Sequence, residues 1–510
     1  MSLNEQDSRI NKLNELKLLG INAYPEKFDK KNDISDVLKI FEESNIRSLK
    51  EIQEGPNSLI ATAWRLILLR PHGSITFGKI KGQDWEIQIM FDKKNTKIIL
   101  WEGEDNFVDN INEQNAYKII QKYIDVWDRI WVKWEPFKTM TGEKTLFVDK
   151  IQLLSKSLLS LGEKFHGIEN ADMKIRKRYL NIIHNDPIKE MLVRRSKFWN
   201  TIRNYLLELW FLEVDTPILE NTTWGADANP FVTHHNALDI DINLRISCWE
   251  LRQKRLLVAW FEKTFEIWRI FRNEGMSPEH AQDYTQMENY WAFADYKQMM
   301  ELIKNMYLKV VDTVYGKRQF TIKWHEVNFD DERKEIDYSA IIKKMTDIDI
   351  FDSSEEEMVE KLKELRADGK VWNRARLVDS LRKYCRKNIS WPAFLVNVPT
   401  FVSPLAKAKQ DNPNLTNRFQ IIIAWSEIWN GFSELNDPID QRNRFQQQQD
   451  MRDAWDPEAQ MADREYVEAL EHGMPPAAWF GVSDRLFSFL EDLPIRETHF
   501  FTLCKPVNKD

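Results

Sequence analysis

The chain has 510 residues, with 72 Lys and Arg against 80 Asp and Glu and a formal charge of −8; it has material for two or three domains, and its overall charge does not drive it to nucleic acid. It has no apolar run long enough to span a bilayer and no apolar signal segment in MSLNEQDSRINKL, which excludes a membrane-spanning reading and predicts a soluble, cytoplasmic protein. The three cysteines, Cys248, Cys385 and Cys504, are too widely spaced for a disulfide framework or a zinc pattern.

Residues 1–55 read as a helical N-terminal extension: Ile10, Leu13, Leu16, Leu18 and Leu19 recur at helical spacing, and Val37, Leu38, Ile40 and Phe41 begin a second amphipathic run. Residues 56–155 turn to short alternating segments, LIATAWRLILL, SITFGKI, WEIQIMF, WDRIWVKWEPF and TLFVDKIQLL, with a helical interlude near 115–122. Five such strands predict a small Greek-key barrel of the OB type. Barrels of this kind stack single-stranded bases on aromatic rings beside basic residues. The stretch from Gly73 to Lys79 has the spacing of a phosphate-binding loop, but Ile80 stands where a Ser or Thr hydroxyl is required and no helix pattern follows, so that reading is rejected.

A connector over 156–178 leads into a second domain over 179–510. Its first helix, around 193–209, runs into Phe211-Leu212-Glu213-Val214-Asp215-Thr216-Pro217. The stretch 265–296 then reads as two strands joined by a long polar loop: Phe265, Ile267, Ile270 and Phe271 deliver Arg272 and Glu274, and a second run brings back Tyr284, Met287, Glu288 and Tyr290. Charged groups at strand ends facing such a loop suit a phosphate-bearing ligand, because a guanidinium grips phosphate oxygens bidentately; an exposed ion pair is the plainer alternative. A helical insertion follows at about 338–387, whose acidic run 353–363 reads as a solvated helix face. Further on, Glu427 to Asp437 packs two carboxylates and an amide close together, which suits a cation, and Gly481-Val482-Ser483-Asp484-Arg485 ends in another arginine.

Phe271-Arg272-Asn273-Glu274 with Tyr284 and Glu288 resembles motif 2 of the class II aminoacyl-tRNA synthetases; the segment from Phe211 to Pro217 resembles motif 1, and the segment ending in Arg485 resembles motif 3. The surrounding text resembles the bacterial lysyl-tRNA synthetases along nearly the whole chain. The fold this implies is α+β: an N-terminal OB barrel and an antiparallel-sheet catalytic domain with helices. The chemistry it implies is activation of L-lysine by ATP, the amino-acid carboxylate attacking the α-phosphate, followed by transfer of the lysyl group to the terminal ribose of lysine tRNA. On the matched positions, Arg272 would neutralise the α-phosphate and Arg485 the γ-phosphate, with Glu274 a third member of the catalytic set. His280 would lie near the phosphates and Tyr284 would stack on adenine, while Glu427 and Gln420 would help hold Mg²⁺, Gln420 standing where the family often has a carboxylate. Glu250, Glu288 and Glu434 would select the ammonium of lysine, with Tyr290, Asn430 and Phe432 shaping the pocket. An aspartate- or asparagine-specific sibling would need a cation there, and no matched position supplies one. Arg65, Phe77 and Gln88 would meet the anticodon on the barrel; plain core is the alternative for Phe77. The N-terminal helices would help hold tRNA or serve as surface helices. The resemblance also implies a homodimer built on motif 1. The other readings are a non-catalytic paralogue that keeps only the RNA-binding barrel, an aspartyl or asparaginyl sibling, and a protein-modifying relative, which would lack the barrel. Asn229, in the segment 224–231, departs from the family's usual Arg.

One compositional feature stands apart. Glycine is 16 of 510 residues, about 3% against a usual ~7%, while tryptophan reaches 20. Fifteen tryptophans (64, 85, 127, 131, 134, 210, 224, 249, 260, 268, 391, 425, 429, 455 and 479) stand where the resemblance expects glycine, and restoring them would bring glycine to about 6%. That pattern predicts UGA codons that the cell reads as glycine; a lineage that simply enriched core aromatics is the alternative, at the cost of bulky rings in tight turns.

Overall fold

The computed structural model describes residues 3–28, 32, 34–43, 46, 48–54, 60–82, 85–101, 106–111, 114–160, 170–221, 228–248, 250–275, 277–367, 373–389, 392–453 and 462–506. Trp224, Trp249, Trp391 and Trp455 lie outside the described residues, as does the segment 222–227. The chain divides into two compact units, Met1–Gly167 and Ile168–Asp510, and the division falls inside the connector expected at 156–178.

In the first unit, strands β1 (Ile60–His72), β2 (Ile75–Lys81), β3 (Glu86–Asp92), β4 (Lys97–Ile99), β5 (Phe107–Val108), β6 (Arg129–Lys138) and β7 (Lys144–Ser155) form one sheet in the order 3-2-1-6-7-4-5. The parallel pairing of β3 with β7, Gln88 opposite Thr145 through Phe91 opposite Val148, closes it into a barrel. Alternation drives the closure: the inward residues Leu66, Ile80, Ile89, Phe91, Ile130, Val132, Leu146 and Val148 are buried together. Helix α1 (Ala116–Tyr123), whose N-cap Asn115 accepts from the Lys118 N–H at 3.0 Å, turns Tyr117, Ile119, Ile120 and Tyr123 into the same core. Helices Leu3–Leu18 and Ile34–Glu43 of the extension add Leu13, Leu16, Val37 and Phe41. The rejected phosphate loop is the β1–β2 turn, and its Gly78 is packed within a strand where a Cβ would meet the Leu68 carbonyl at 3.0 Å.

The second unit is built on eight strands: β8 (Leu212–Glu213), β9 (Lys263–Phe271), β10 (Asp283–Ala292), β11 (Lys334–Asp337), β12 (Ala393–Val396), β13 (Arg418–Ile423), β14 (Ser426–Ser433) and β15 (Ala477–Ser483). Their order is 8-9-10-15-14-13-12-11. The six central strands are antiparallel, and each edge strand pairs parallel with its neighbour. One face is apolar: Phe265, Ile267, Met287, Phe480, Val482, Phe419 and Ile421 pack against helices α2 (Asp186–Glu208) and α4 (Tyr296–Val310). Helix α2 begins seven residues before the span expected for it, because Pro187 fits a first helical turn, where no N–H partner is needed. Helix α4 opens on a reciprocal capping box between Asp295 and Gln298. Between these in sequence lies helix α3 (Glu250–Val258). The insertion is helical, Tyr338–Thr346, Glu355–Glu364 and α5 (Arg374–Arg386), around its own core of Ile342, Met358, Leu362, Val378 and Leu381. Its acidic helix buries Met358 and Leu362 and leaves the carboxylates outward.

Candidate active site

The strand register fixes the site. Residues opposite one another across a ladder point to the same face, and one row reads Glu266, Glu288, Gly481, Asn430, Gln420 across β9, β10, β15, β14 and β13. The next row carries Thr264, Tyr290, Trp479, Phe432 and Arg418. Both rows lie on the face away from the apolar core, so the antiparallel sheet gathers residues up to 217 positions apart in sequence, Thr264 and Gly481, onto one polar floor. Gly431, between the rows, admits no side chain: a Cβ there would stand 2.6 Å from Phe419 Cζ and 2.7 Å from the Trp479 carbonyl.

At one end of the floor is a fully buried pocket. Glu288 is 0% exposed. Its Oε1 accepts the Cys248 N–H at 3.3 Å and a short bond from the Gln286 amide, and its Oε2 accepts from the Trp479 indole at 3.3 Å and the Tyr290 hydroxyl at 3.4 Å. The Trp479 ring lies 4.8 Å from that of Phe432 and 6.4 Å from that of Tyr290. Glu434, also 0% exposed, faces Lys254 Nζ at 2.6 Å, and that ammonium sits 5.6 Å from the Phe432 ring and 5.7 Å from the Tyr466 ring. A cation at this spot was not foreseen from the matched positions: Lys254 comes from α3, one turn after Glu250 and on the same helical face. Glu250 opens α3, and its side chain is outside what is described. Asn430 is turned to the floor, its Oδ1 accepting from Arg418 Nε at 2.8 Å.

Two more buried carboxyls back this pocket. Glu266, opposite Glu288 in the ladder, is neutralised by Arg245 Nη1 at 2.9 Å and accepts from Thr216, which relieves the repulsion of like charges paired across strands. Glu220 has neither oxygen hydrogen-bonded. Burial pushes its carboxyl up to about 9, with Arg245 and Arg252 pulling down and Glu288 and Glu266 pushing up, so it is held neutral at pH 7.

The other end is a cation-rich cleft. Arg272 leaves β9, donates from Nε to the Ile246 carbonyl at 3.1 Å and lies 5.7 Å over the Tyr284 ring. Tyr284 is 6% exposed, packed with Cys248, Ile270, Ala281 and Ile495. Arg485 donates to the Glu279 carbonyl at 3.2 Å. The His280 imidazole contacts Ser277 Oγ at 2.7 Å, and its basicity is lowered by burial, by Arg485 and also by Arg272 and Lys383, so all three cations stand about one ring. Glu274 sits in the same loop, half-buried, its carbonyl accepting from the Gln282 amide. A cavity of about 200 Å³ opens between Glu279, Lys323, Ser426, Glu427 and Arg485.

Glu427 also borders a second cavity, of about 260 Å³, with Gln420, Asp379 and Arg382. There its Oε2 accepts from Arg382 Nη1 at 2.6 Å, with Arg386 at 3.9 Å, and its Oε1 accepts the Gln420 amide at 2.9 Å. Burial pushes the carboxyl up, and the two guanidinium groups more than reverse it, holding it below its ordinary value. Among the described residues no group of three or more His, Cys, Asp or Glu side chains is placed to hold a metal ion. Glu427 and Gln420 therefore do not fit Mg²⁺ as they stand: both carboxylate oxygens are engaged by N–H donors.

On the barrel, the residues expected to meet RNA share one outer face. Phe77 pairs with Arg70, Lys79 with Gln88, and Lys81 with Arg65, and a bulge between Leu66 and Leu68 keeps both arginines on that side. Phe77 is half-buried against Met90 and Phe137, and Gln88 donates to Thr145 Oγ1 at 2.8 Å.

Sequence reasoning missed Lys254, Arg382 and Arg386. Lys254 stands at helical spacing from Glu250, but nothing local shows that this face turns inward, and the arginines carry no local signal either. Comparison with known proteins supplies the context. The family model of class II tRNA synthetases (D, K and N) matches residues 170–505. The chain is 37% identical over 503 residues to the lysine–tRNA ligase of Thermotoga maritima, covering 98% of this chain and 96% of the relative. It is 36% identical over 505 residues to that of Thermosipho africanus (99% and 96%) and 38% identical over 506 residues to that of Thermoanaerobacter pseudethanolicus (98% and 96%).

Proposed function

The chain belongs to the class II tRNA synthetases of the D, K and N group, and from that membership and the chemistry of its buried pocket we propose that it is a lysine–tRNA ligase, joining L-lysine to lysine tRNA at the cost of ATP. The observation that carries the amino-acid assignment is that the pocket already holds an ammonium: Lys254 Nζ rests between Glu434 and the rings of Phe432 and Tyr466. Carboxylate and aromatic faces are what a primary ammonium needs once stripped of water, and Glu288 adds a second buried carboxylate beside it. An aspartate substrate would bring a third carboxylate into a space where the Lys254 ammonium is already engaged by Glu434, at a cost of several kcal/mol.

The chemistry asks little of acid–base groups, because the lysine carboxylate is itself the nucleophile on the α-phosphate of MgATP and pyrophosphate leaves. Positioning and charge neutralisation carry the step. Arg272, beside Tyr284, is the group for the α-phosphate, and Arg485, at the start of the helix Asp484–Leu490, for the γ-phosphate. Lowered basicity leaves His280 neutral at pH 7, so it can hydrogen-bond a phosphate without an added charge. Transfer of lysine to the terminal ribose of tRNA would follow, with the barrel face of Phe77, Gln88 and Arg65 holding the anticodon. Exposed Val193, Leu207 and Leu212 on α2 and β8 support a homodimer at this edge. The test is amino-acid-dependent ATP–pyrophosphate exchange. Lysine should support it and aspartate and asparagine should not; exchange driven by aspartate would overturn the assignment.

A further inference from the structure

The cations on Glu427 come from a helix of the insertion, and their placement has a consequence for the phosphate site. Arg382, with its side chain 8% exposed, is anchored by Asp379 through Nε at 3.0 Å and Nη2 at 2.7 Å, which leaves Nη1 directed at Glu427 Oε2. Arg386, one turn on, faces the same oxygen at 3.9 Å and lies within the fields of Glu279 and Arg485 across the cleft. Gln420, where a carboxylate would be needed for a two-carboxylate cation site, turns its amide N–H to Glu427, and its own Oε1 is buried without a hydrogen bond. A divalent ion at Glu427 would meet two carboxylates, Glu427 and Asp379, both already held by Arg382, with a neutral amide and two guanidinium groups beside them. Hard cations require several oxygen ligands, and like charges repel.

Resting on the reading above, we propose that Arg382 and Arg386 replace a divalent cation at Glu427, so that the positive charge facing the triphosphate at this point of the cleft is a fixed guanidinium pair and not a metal ion. Arg382 acts as a positioning residue: it holds Glu427 and, with Arg386, sets the field in which Arg485 works. Position 420 matches, because an amide can donate to the carboxylate that the arginines hold and a second carboxylate there would invite a metal.

The test counts Mn²⁺ bound to the full-length protein in the presence of ATP, by electron paramagnetic resonance. The double variant Arg382→Ala/Gln420→Glu should bind one more Mn²⁺ than wild type, and adding Glu427→Gln should remove it again. If wild type already binds that ion and Glu427→Gln alone releases it, the proposal is overturned. Arg386→Ala, less tightly packed, should raise the KM for ATP severalfold with the melting temperature unchanged, and Arg386→Lys should restore most of it; an unchanged KM counts against the proposal. The Mn²⁺ count needs no amino acid, so it stands apart from the lysine assignment, which lysine-dependent exchange tests.

A different observation concerns the tryptophans. Thirteen described residues other than glycine have a left-handed backbone, and five are tryptophan: Trp127, Trp210, Trp260, Trp324 and Trp425, at φ 85°, 63°, 72°, 68° and 65°. A bulky side chain is strained there. The places are those glycine takes. Trp210 follows α2, with its N–H donating to Leu207 and that of Phe211 to Leu206; Trp260 follows α3 with the same two bonds, to Leu257 and Leu256. Each is the left-handed residue of a Schellman motif, the position most enriched in glycine. Trp324 and Trp425 are second residues of two-residue hairpin turns, between Ile322 and His325 and between Ile423 and Ser426, preceded by Lys323 and Ala424 at φ 48° and 44°. Those are turns whose second residue is normally glycine. Trp210, Trp260 and Trp324 are 87%, 93% and 90% exposed, so no packing offsets the strain. We infer that these five positions are glycine in the protein the cell makes, encoded by a reassigned codon, and that Trp324, outside the fifteen named from sequence, joins them. Trp479, in β15, lacks that backbone and is grouped with the fifteen by sequence alone; glycine there would remove the indole that donates to Glu288 Oε2 and leave the Tyr290 hydroxyl on that oxygen. The codons at these positions and the masses of their peptides from the native organism decide it: UGA and glycine are expected, and UGG or tryptophan at Trp210, Trp260 and Trp324 would overturn it.

Discussion

The two ends of the polar floor are built on opposite principles. The pocket is dry and hydrogen-bonded: Glu288, Glu434 and Lys254 are each 0% exposed, and the Glu288 oxygens accept from four donors. The cleft is half-open and lopsided, with Arg272, Arg386, Arg485 and Lys323 outnumbering Glu279 and Glu427 around its cavities. Selecting one amino acid calls for groups that lose heavily when a wrong partner leaves them unpaired, and only burial makes that loss large. Steadying a triphosphate calls for surplus positive charge that a ligand can reach.

The sharpest break of that contrast is Glu288→Gln. It removes a charge from the dry end, where an unbalanced buried group is worth about 3–5 kcal/mol, so lysine-dependent ATP–pyrophosphate exchange should fall by roughly 10³-fold while the melting temperature moves little. An exchange rate near wild type would sink the pocket assignment. Arg485→Ala in the cleft should cost about 10²–10³-fold, the usual loss for one group aimed at developing charge. The two ends should also part company in salt. Half-exposed cations are screened as ionic strength rises from ~0.1 to ~1 M, and buried ones are much less affected, so the KM for ATP should climb with KCl and the KM for lysine should stay nearly flat. Equal climbs would mean that both ends are wet.

The same contrast decides what sequence could reveal. The barrel and central strands were legible because alternation over five to ten residues is a local signal, and the segments from Leu59, Ser74, Trp85, Trp127 and Thr145 all became strands within a few residues of their expected ends. Arg272, Arg485, Glu288 and Glu434 were legible through the motifs that carry them. Lys254 was not, because ELRQKRLLV reads as an exposed basic helix, and only the fold reveals that its fourth residue after Glu250 points inward to Glu434. Arg382 was hidden for a similar reason: RARLVDSLRKYCR looks like a solvated basic face, and Glu427 lies 45 positions away. Trp324 escaped because a two-residue turn is recognised from sequence by its glycine, and none is written there.

The barrel face offers a smaller effect that leaves both ends of the floor intact. Phe77→Ala removes one ring, and stacking of a base on such a ring is worth about 1–3 kcal/mol. Aminoacylation of tRNA should therefore weaken about tenfold through KM for tRNA, with lysine-dependent exchange unchanged. A matching fall in exchange would mean that the ring is core and not contact.

An effect read in stability and not in activity probes how the dry end keeps its balance. Glu220 is buried beside Glu266 and Glu288 with no hydrogen bond to either oxygen, and its carboxyl is raised from 4.5 to about 9. The folded protein thus holds a proton that the unfolded chain releases above pH 4.5. The stability this confers is fully present below pH 4.5 and is lost as the pH rises through about 9. Glu220→Gln keeps the shape and removes the titration, so its melting temperature should match wild type near pH 4, exceed it increasingly toward pH 9 and then hold a constant lead. Calorimetry from about pH 4 to about pH 10 reads that difference directly. A difference independent of pH would mean that Glu220 is ionised against Arg245 or Arg252, and that the pocket carries one more negative charge than a single lysine could balance.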